Sequence, residues 1–553
     1  MAGPEAGTGA AMHENLISAM GMVVLLLLAW AMSFHKRKIP FRTIGWGLAL
    51  QFLFAVIILR DDRWSYLGMG VLGLLVVVYV LQREHDRLGG GWWPVAVATA
   101  LSCAIGWLAG HFAAPWLGWA LVLLVVFLLV NARWRLFQRA QSFAAALFVV
   151  LGVTDLVAHG VHGRIFFTAF SDKVAAFLNL SDYGAKFLFG NLADPKYFFP
   201  GKNAAWPGFG FLFAFKVLPT IVFFGAVMGI LYHLGIMQRV IEAIARFMRW
   251  TIGTSGAETL SCTANIFVGQ TEAPLLIRPF LDDMTRSELL TVMVGGFATI
   301  AGGVLAGYIS MGIPAGHLIA ASVMSAPAAL VMGKLVYPEL EHSKTAGDAR
   351  LPEIPTGDNL IESATSGITD GLKLAVNVGA MLLGFIALIA VIDVLLNWGD
   401  GLIDGRLLHG AWVSYGSGGI SPVTGEFRGI FPGSLQTLFG TILRPLAWLM
   451  GVPWADAGRV GNLLGIKLSL NEFVAYGQLG SYMHQGALSQ RSIIIATYAL
   501  CGFANFSSIG IQIGGISALA PHRRKDLAQL GLRAMFAGAL ASWLTATIAG
   551  ILL

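Results

Sequence analysis

Two carboxylates set in apolar sequence are the groups through which this chain could do chemistry. The first closes the polar, glycine-bearing stretch Asn265-Ile-Phe-Val-Gly-Gln-Thr-Glu272 and is followed at once by Ala-Pro-Leu-Leu-Ile277. The second lies in Leu470-Asn-Glu-Phe-Val-Ala-Tyr476. A carboxylate buried in hydrocarbon costs several kcal/mol unless partnered, so Glu272 and Glu472 are functional candidates. Gln270 and Thr271 put amide and hydroxyl groups beside Glu272, as Asn471 does beside Glu472, and this set suits a polar, hydrogen-bonding solute. Pro274 weakens local helix bonding, and carbonyls exposed there, with the Asn265 and Thr299 oxygens, suit a small hard cation. The alternative for either Glu is an ion pair with Arg278 or Lys467 that fixes its hairpin.

Asn505, Ser507 and Ser508 form a third polar group, which taken alone could equally be packing contacts. Phe503 and Phe506 are by default packing aromatics, although a ring can also stack on a flat solute. Lys216 reads as a snorkelling or helix-pairing residue rather than a ligand. The histidines form no metal-spaced pair. No nucleophile elbow, phosphate loop or zinc signature occurs, which argues against an enzyme or an ATP-driven pump. Uphill transport would then draw on an ion gradient.

The elements that must hold these residues are membrane helices. The chain is 56% apolar and 12% charged, with 68 glycines, against roughly 25% charged residues in an ordinary soluble domain. We read an all-α polytopic protein of the cell (inner) membrane, crossing the bilayer many times. Its net charge of +6 sits in short loops that orient spans, and calls for no nucleic-acid polymer. Cys103, Cys262 and Cys501 lie in apolar sequence and read as packing residues. The first apolar run, 16–32, is followed by His35-Lys-Arg-Lys38 and not by a cleavage site, so it reads as a retained span.

Further spans are expected over 43–59, 64–81, 93–112, 116–130, 143–157 (weakened by Asp155), 209–234, 289–311, 314–337, 372–396, 493–519 and 534–553. Interfacial helices are expected over 170–190, 237–250 and 358–371, with 435–450 a short helix at the outer surface. The segments 255–284 and 454–483 carry too much charge for lipid-facing spans and read as re-entrant hairpins. Each is followed by a glycine-phenylalanine helix, Gly296-Phe-Ala-Thr-Ile-Ala-Gly-Gly303 in one half and Gly502-Phe-Ala-Asn-Phe-Ser-Ser-Ile509 in the other. Loop charge gives the two units opposite orientation, an inverted repeat with a binding site at mid-membrane.

At these residues the sequence resembles the concentrative nucleoside transporter family. The resemblance rests on Val268-Gly-Gln-Thr-Glu-Ala-Pro-Leu275, Ile300-Ala-Gly-Gly-Val-Leu-Ala-Gly-Tyr308, Asn471-Glu-Phe-Val-Ala-Tyr476 and Cys501-Gly-Phe-Ala-Asn-Phe-Ser-Ser508. It implies a homotrimer in which each protomer pairs a scaffold domain with a transport domain. The expected parts are scaffold spans in 1–60, an inserted block of extra helices in 61–165, and an interfacial helix with a scaffold span in 166–236. A first transport repeat follows in 237–340, then a loop, scaffold span and outer loop in 341–432, and a second repeat in 433–553.

The resemblance further implies that Gln270, Thr271, Glu272 and Val304 face a nucleobase, that Phe503 packs on it, and that Glu472, Asn505 and Ser508 hold the ribose. Sodium would sit near Asn265, Val268, Thr299 and Ile300. Family members often carry Ser where this chain has Thr299. The block 61–165 has no counterpart in the bacterial family pattern, and reads as a peripheral or oligomer-stabilising bundle, or else a regulatory module. The expectation is a sodium-coupled nucleoside symporter. The alternatives are a proton-coupled symporter, with the coupling proton on Glu272 or Glu472, and a nucleoside-permeable channel or receptor.

Overall fold

A computed structural model of the chain describes residues 4–88, 92–112, 114–134, 138–194, 197, 212–345, 357–414 and 422–553. Parts of the expected basic segment 133–139, of the polar loop 338–357 and of the outer loop before Pro432 lie outside the described residues. What is described is almost wholly helical, and ten helices are long and apolar enough to cross a membrane. The strands described are β1 (Trp412–Ser414) and β2 (Gly425–Phe427), paired antiparallel. Contacts divide the chain into two units, 52–170 and a larger one made of 1–51 with 171–553.

The smaller unit takes the end of α2 (Phe41–Leu59) and then α3 (Arg63–Leu88), α4 (Trp92–Phe112), α5 (Leu117–Trp134) and α6 (Gln138–Ala158). Val77, Leu81 and Ala146 form its buried centre. Small residues let α4 and α6 meet closely: a Cβ on Gly106 would stand 2.2 Å from Val150 Cγ1, and one on Gly110 2.6 Å from Thr154 Cγ2. Asp155 does not interrupt α6, because its carboxylate lies 3.3 Å from His159 Nδ1 near the helix end.

The larger unit begins with α1 (Pro4–Ala31) and resumes within α7 (Gly163–Leu178), followed by α8 (Ser181–Phe189). The interfacial helix expected over 170–190 is thus two helices. Lys216 Nζ, on α9 (Phe213–His233), donates to both carboxylate oxygens of Asp182 on α8 at 2.6 Å, so this lysine pairs helices. The amphipathic α10 (Ile236–Ile252) buries Met237, Ile241, Ala245, Met248 and Ile252 along one face.

Residues 358–396, read as an interfacial helix and a separate span, form one 41-residue helix, α15 (Leu360–Asp400). At 1.5 Å per residue it is about 60 Å long, roughly twice the hydrocarbon core. At Gly367 and Gly371 the helix α9 lies against it, backbone on backbone. A Cβ on Gly367 would stand 2.3 Å from the Gly225 carbonyl, and one on Gly229 2.4 Å from that of Ser363.

The remainder of the larger unit is built twice. The first copy is α11 (Gly256–Ala264), an irregular loop, a 3-10 segment (Ala273–Phe280), then α12 (Arg286–Ala298), α13 (Gly302–Ser310) and α14 (Ala315–Val336). The second is α16 (Leu435–Leu449), α17 (Trp454–Ser469), α18 (Glu472–His484), α19 (Gln490–Leu500), α20 (Phe506–Leu519) and α21 (Arg524–Leu552). The short helix α16 is held against α17, where a Cβ on Gly465 would meet the Phe439 ring at 2.1 Å.

The segments 289–311 and 493–519, expected as continuous spans, are each broken midway. Thr299 is extended (φ −119°, ψ 167°) between α12 and α13. Between α19 and α20, Gly502 sits at φ +136°, which only glycine adopts freely, and Asn505 caps the new helix by accepting from Ser508 N at 2.9 Å.

Candidate functional site

The first hairpin is anchored at its base by buried charge. Ser255 and Glu258 form a capping box, and Glu258 Oε2 lies 2.8 Å from Lys334 Nζ on α14. Lys334 also donates to Ser287 Oγ at 3.0 Å and to Glu339 at 3.2 Å. A second capping box, Thr285 with Glu288, starts α12, and Glu288 accepts from the Ser343 hydroxyl at 2.5 Å and from that of Thr345. With their ends fixed, the hairpin loop and the broken helices can hold irregular backbone in the interior.

The two breaks cross each other. Phe503 N donates to the Thr299 carbonyl at 3.2 Å, and Ser542 Oγ on α21 donates to the Cys501 carbonyl at 2.6 Å. In the same region Gly302 N donates to the Phe267 carbonyl at 3.1 Å, tying the first break to the hairpin loop. Loop 265–272, break 299–301 and break 501–505 therefore meet in one place.

Around that crossing runs a buried chain of hydrogen bonds drawn from both repeats. Gln270 Nε2 donates to Ser508 Oγ at 3.2 Å, and the Ser508 backbone N–H reaches Asn505 Oδ1. Asn505 Nδ2 donates to Glu472 Oε2 at 3.2 Å, and the Tyr308 hydroxyl donates to Glu472 Oε1 at 3.1 Å. Glu472 opens α18, whose cap is Asn471 accepting from Val474 N at 2.9 Å. Lys467 forms no ion pair with Glu472; its Nζ donates to the Ala499 carbonyl at 2.9 Å. The Phe473 ring packs edge-on to Tyr308 with centroids 4.9 Å apart.

The remaining candidates border this chain. Thr271 packs at Gly515 of α20, where a Cβ would meet Thr271 Cγ2 at 2.8 Å. Glu272 folds back over Gly269 and is exposed, lining a cleft of about 310 Å3 whose other walls are α9, α13 and α15. Val304 is buried on α13, one turn before Tyr308, and Phe503 is half-buried at the second break.

Asn265 ends α11, and its Nδ2 donates to the Ser261 carbonyl at 3.0 Å, which turns Oδ1 the other way. That oxygen is buried and without a hydrogen-bond partner. A Cβ on Gly295 would lie 3.4 Å from Asn265 Nδ2, and Thr299 Oγ1 donates to the Gly295 carbonyl at 2.9 Å, so both side chains lie against one turn of α12. Val268 and Ile300 are buried on the two irregular segments that meet there. An orphaned amide oxygen, a hydroxyl and the carbonyls of irregular backbone are the oxygen types that a small hard monovalent cation takes.

Tyr308 and Gln512 were missed by sequence reasoning. Tyr308 ends a motif in an apolar run, where a tyrosine reads as packing. Gln512 follows Asn505 and Ser508 at helical spacing, so that all three share a face of α20; this periodicity was the available signal.

Three family models match the chain: "Na+ dependent nucleoside transporter N-terminus" over 20–63, "Nucleoside recognition" over 214–315 and "Na+ dependent nucleoside transporter C-terminus" over 317–550. An uncharacterized transporter of Haemophilus influenzae is 42% identical over 440 residues, covering 79% of this chain and 96% of its own. Sodium/nucleoside cotransporter 1 of Mus musculus is 44% identical over 429 residues, and the match spans 75% of this chain but 60% of that longer protein. The solved structure of CNTnw in an inward-facing substrate-bound state superposes with a TM-score of 0.68 at 33% identity, covering 98% of each chain. With two repeats, two hairpins and crossed helix breaks in this order, the chain is a multi-pass membrane protein and belongs to the concentrative nucleoside transporter family.

Proposed function

We propose that the protein imports nucleosides by sodium-coupled symport with alternating access. The observation that carries this reading is the buried chain Gln270–Ser508–Asn505–Glu472, which joins the two repeats beside the unpartnered Asn265 oxygen. Glu472 takes ribose hydroxyl donors, while Asn505 and Ser508 complete the sugar contacts. Gln270, Thr271, Glu272 and Val304 face the base, and Phe503 packs on it. Sodium is held at Asn265, Val268, Thr299 and Ile300. The two repeats move as a transport domain against a scaffold of spans that includes α9 and α15, within a homotrimer. Sodium and nucleoside relatives support the substrate and ion assignments by name.

Uptake of labelled uridine and adenosine into proteoliposomes, with sodium and proton gradients imposed separately, tests the reading. Accumulation driven by sodium alone is expected. Accumulation driven only by protons would move the coupling to a carboxylate, and uptake that merely equilibrates would make the protein a channel. Asn265→Ala is expected to raise the sodium concentration for half-maximal uptake by about tenfold or more, at least what losing an outer-sphere partner costs a metal site. Unchanged sodium dependence in that variant would remove Asn265 from the ion site.

A further inference from the structure

One more polar residue lies buried beside the binding chain. Gln512, on α20, is 1% exposed and reaches between the first hairpin and α12. Its Nε2 donates to the Met293 carbonyl at 3.1 Å and to Gln270 Oε1 at 3.1 Å. Space for this comes from Gly296, where a Cβ would lie 2.5 Å from Gln512 Nε2 and 3.0 Å from Gln270 Cβ. The remaining oxygen, Gln512 Oε1, is buried and unpartnered.

The order of donors and acceptors along this line is forced. A backbone carbonyl only accepts, so Gln512 must turn its NH2 group toward Met293. The same nitrogen meets Gln270, which must therefore answer with its carbonyl oxygen. Gln270 then carries its NH2 group on the opposite side, where one hydrogen goes to Ser508 Oγ at 3.2 Å. Its second hydrogen is left over, and Ser508, having accepted, keeps its own hydroxyl hydrogen to give. A single backbone carbonyl on α12 thus fixes, through two amides, which polarity the site presents. The face offered by Gln270 and Ser508 is one of donors.

We propose that Gln512 is a specificity-determining positioning residue: by holding the Gln270 carbonyl, it makes the solute-facing group of Gln270 an N–H donor and selects bases whose facing edge carries an acceptor. This rests on the reading of Gln270 as a base-facing residue. With an apolar residue at 512 the Gln270 amide turns over freely and presents either polarity. Gln512 acts on the solute through Gln270, so its loss is expected to change which bases bind and not the maximal rate or the sodium dependence.

The test is inhibition of labelled uridine uptake in proteoliposomes by single-atom analogues, in the native protein and in Gln512→Met, which keeps chain length and volume. Acceptor-weakened probes are 3-deazacytidine, 2-thiouridine and 4-thiouridine; the donor-deleted probe is zebularine, which is cytidine without its 4-amino group. The native protein is expected to bind at least one acceptor-weakened probe about fivefold or more less tightly than its parent, the loss of one hydrogen bond, and zebularine within about threefold of cytidine. In Gln512→Met the two penalties are expected to converge within about threefold, while maximal rate and half-saturating sodium stay within about twofold of native. Discrimination that survives in Gln512→Met overturns the proposal alone. A native protein indifferent to every base analogue yet sensitive to 2′- or 3′-deoxyribose overturns the base-facing reading of Gln270, and the proposal with it. Should Gln512→Met not reach the membrane, Gln512→Leu carries the same comparison with the same outcomes.

Discussion

Replacing Glu472 by glutamine is expected to lower nucleoside uptake about 100-fold or more at unchanged protein abundance. The carboxylate receives the Tyr308 hydroxyl at 3.1 Å and the Asn505 amide at 3.2 Å, one on each oxygen. A carboxylate accepts at about four lone-pair sites, so two remain for the hydroxyl donors of a ribose. Hydrogen bonds to a charged group contribute about 1.5–3 kcal/mol each, and two of them amount to roughly two to four powers of ten. Glutamine loses one acceptor oxygen and turns an NH2 group toward a neighbour that is itself a donor. The fold has no reason to suffer, because the cap of α18 is Asn471, which is untouched. Initial rates against nucleoside concentration, normalised to reconstituted protein, check this. A Michaelis constant within about threefold of native would take Glu472 out of the site. Tyr308→Phe, which removes one donor to that carboxylate, should cost about one to two powers of ten.

The second large effect is on stability and lies at the base of the first hairpin. Lys334→Met should destabilise the protein by about 3–5 kcal/mol, the usual cost of removing one partner from a buried pair. Lys334 and Glu258 are 4% and 1% exposed, and the lysine is the cation facing both Glu258 and Glu339. Without it Glu258 is a buried carboxylate with no counter-charge. Thermal unfolding in detergent measures the loss, with Lys373→Met as a control, since that lysine is exposed and pairs with exposed Asp370. Adding Glu258→Gln to Lys334→Met should return a large share of the stability, because the uncompensated charge is gone. A Lys334→Met melting curve no lower than the Lys373→Met one would mean that the buried cluster does not hold the hairpin.

What the sequence discloses here follows from contrast. Glu272, Glu472 and the Gln270–Thr271 pair stand out because polar groups in hydrocarbon are costly, and the structure sets Glu472, Gln270, Asn505 and Ser508 in one bonded chain. The breaks at Thr299 and Gly502 were not legible as breaks. Alanine, glycine and small polar residues are as compatible with a continuous helix as with an interrupted one, and what stabilises the interruption is distant: Phe503 N on Thr299, Ser542 on Cys501. The division of 358–396 into an interfacial helix and a span put a boundary at 371/372 that the backbone does not have. Helix continuity is a backbone property that charge does not reveal. Tyr308 and Gln512 escaped for the same reason, since their partners Glu472 and Gln270 lie far off in the chain.

The bond from Phe503 N to the Thr299 carbonyl makes the two helix breaks one mechanical object. Under the sodium-coupled reading, the ion organises one side of that object and the nucleoside the other. Occupancy at either side then carries a coupling free energy to its neighbour, and such coupling is reciprocal. The factor by which saturating sodium tightens nucleoside binding must equal the factor by which saturating nucleoside tightens sodium binding. Equilibrium titrations in both orders read that factor twice. Equal values close the thermodynamic cycle; a substitution that lengthens the Phe503–Thr299 link should reduce both by the same amount while leaving each ligand's affinity for the otherwise empty protein nearly unchanged.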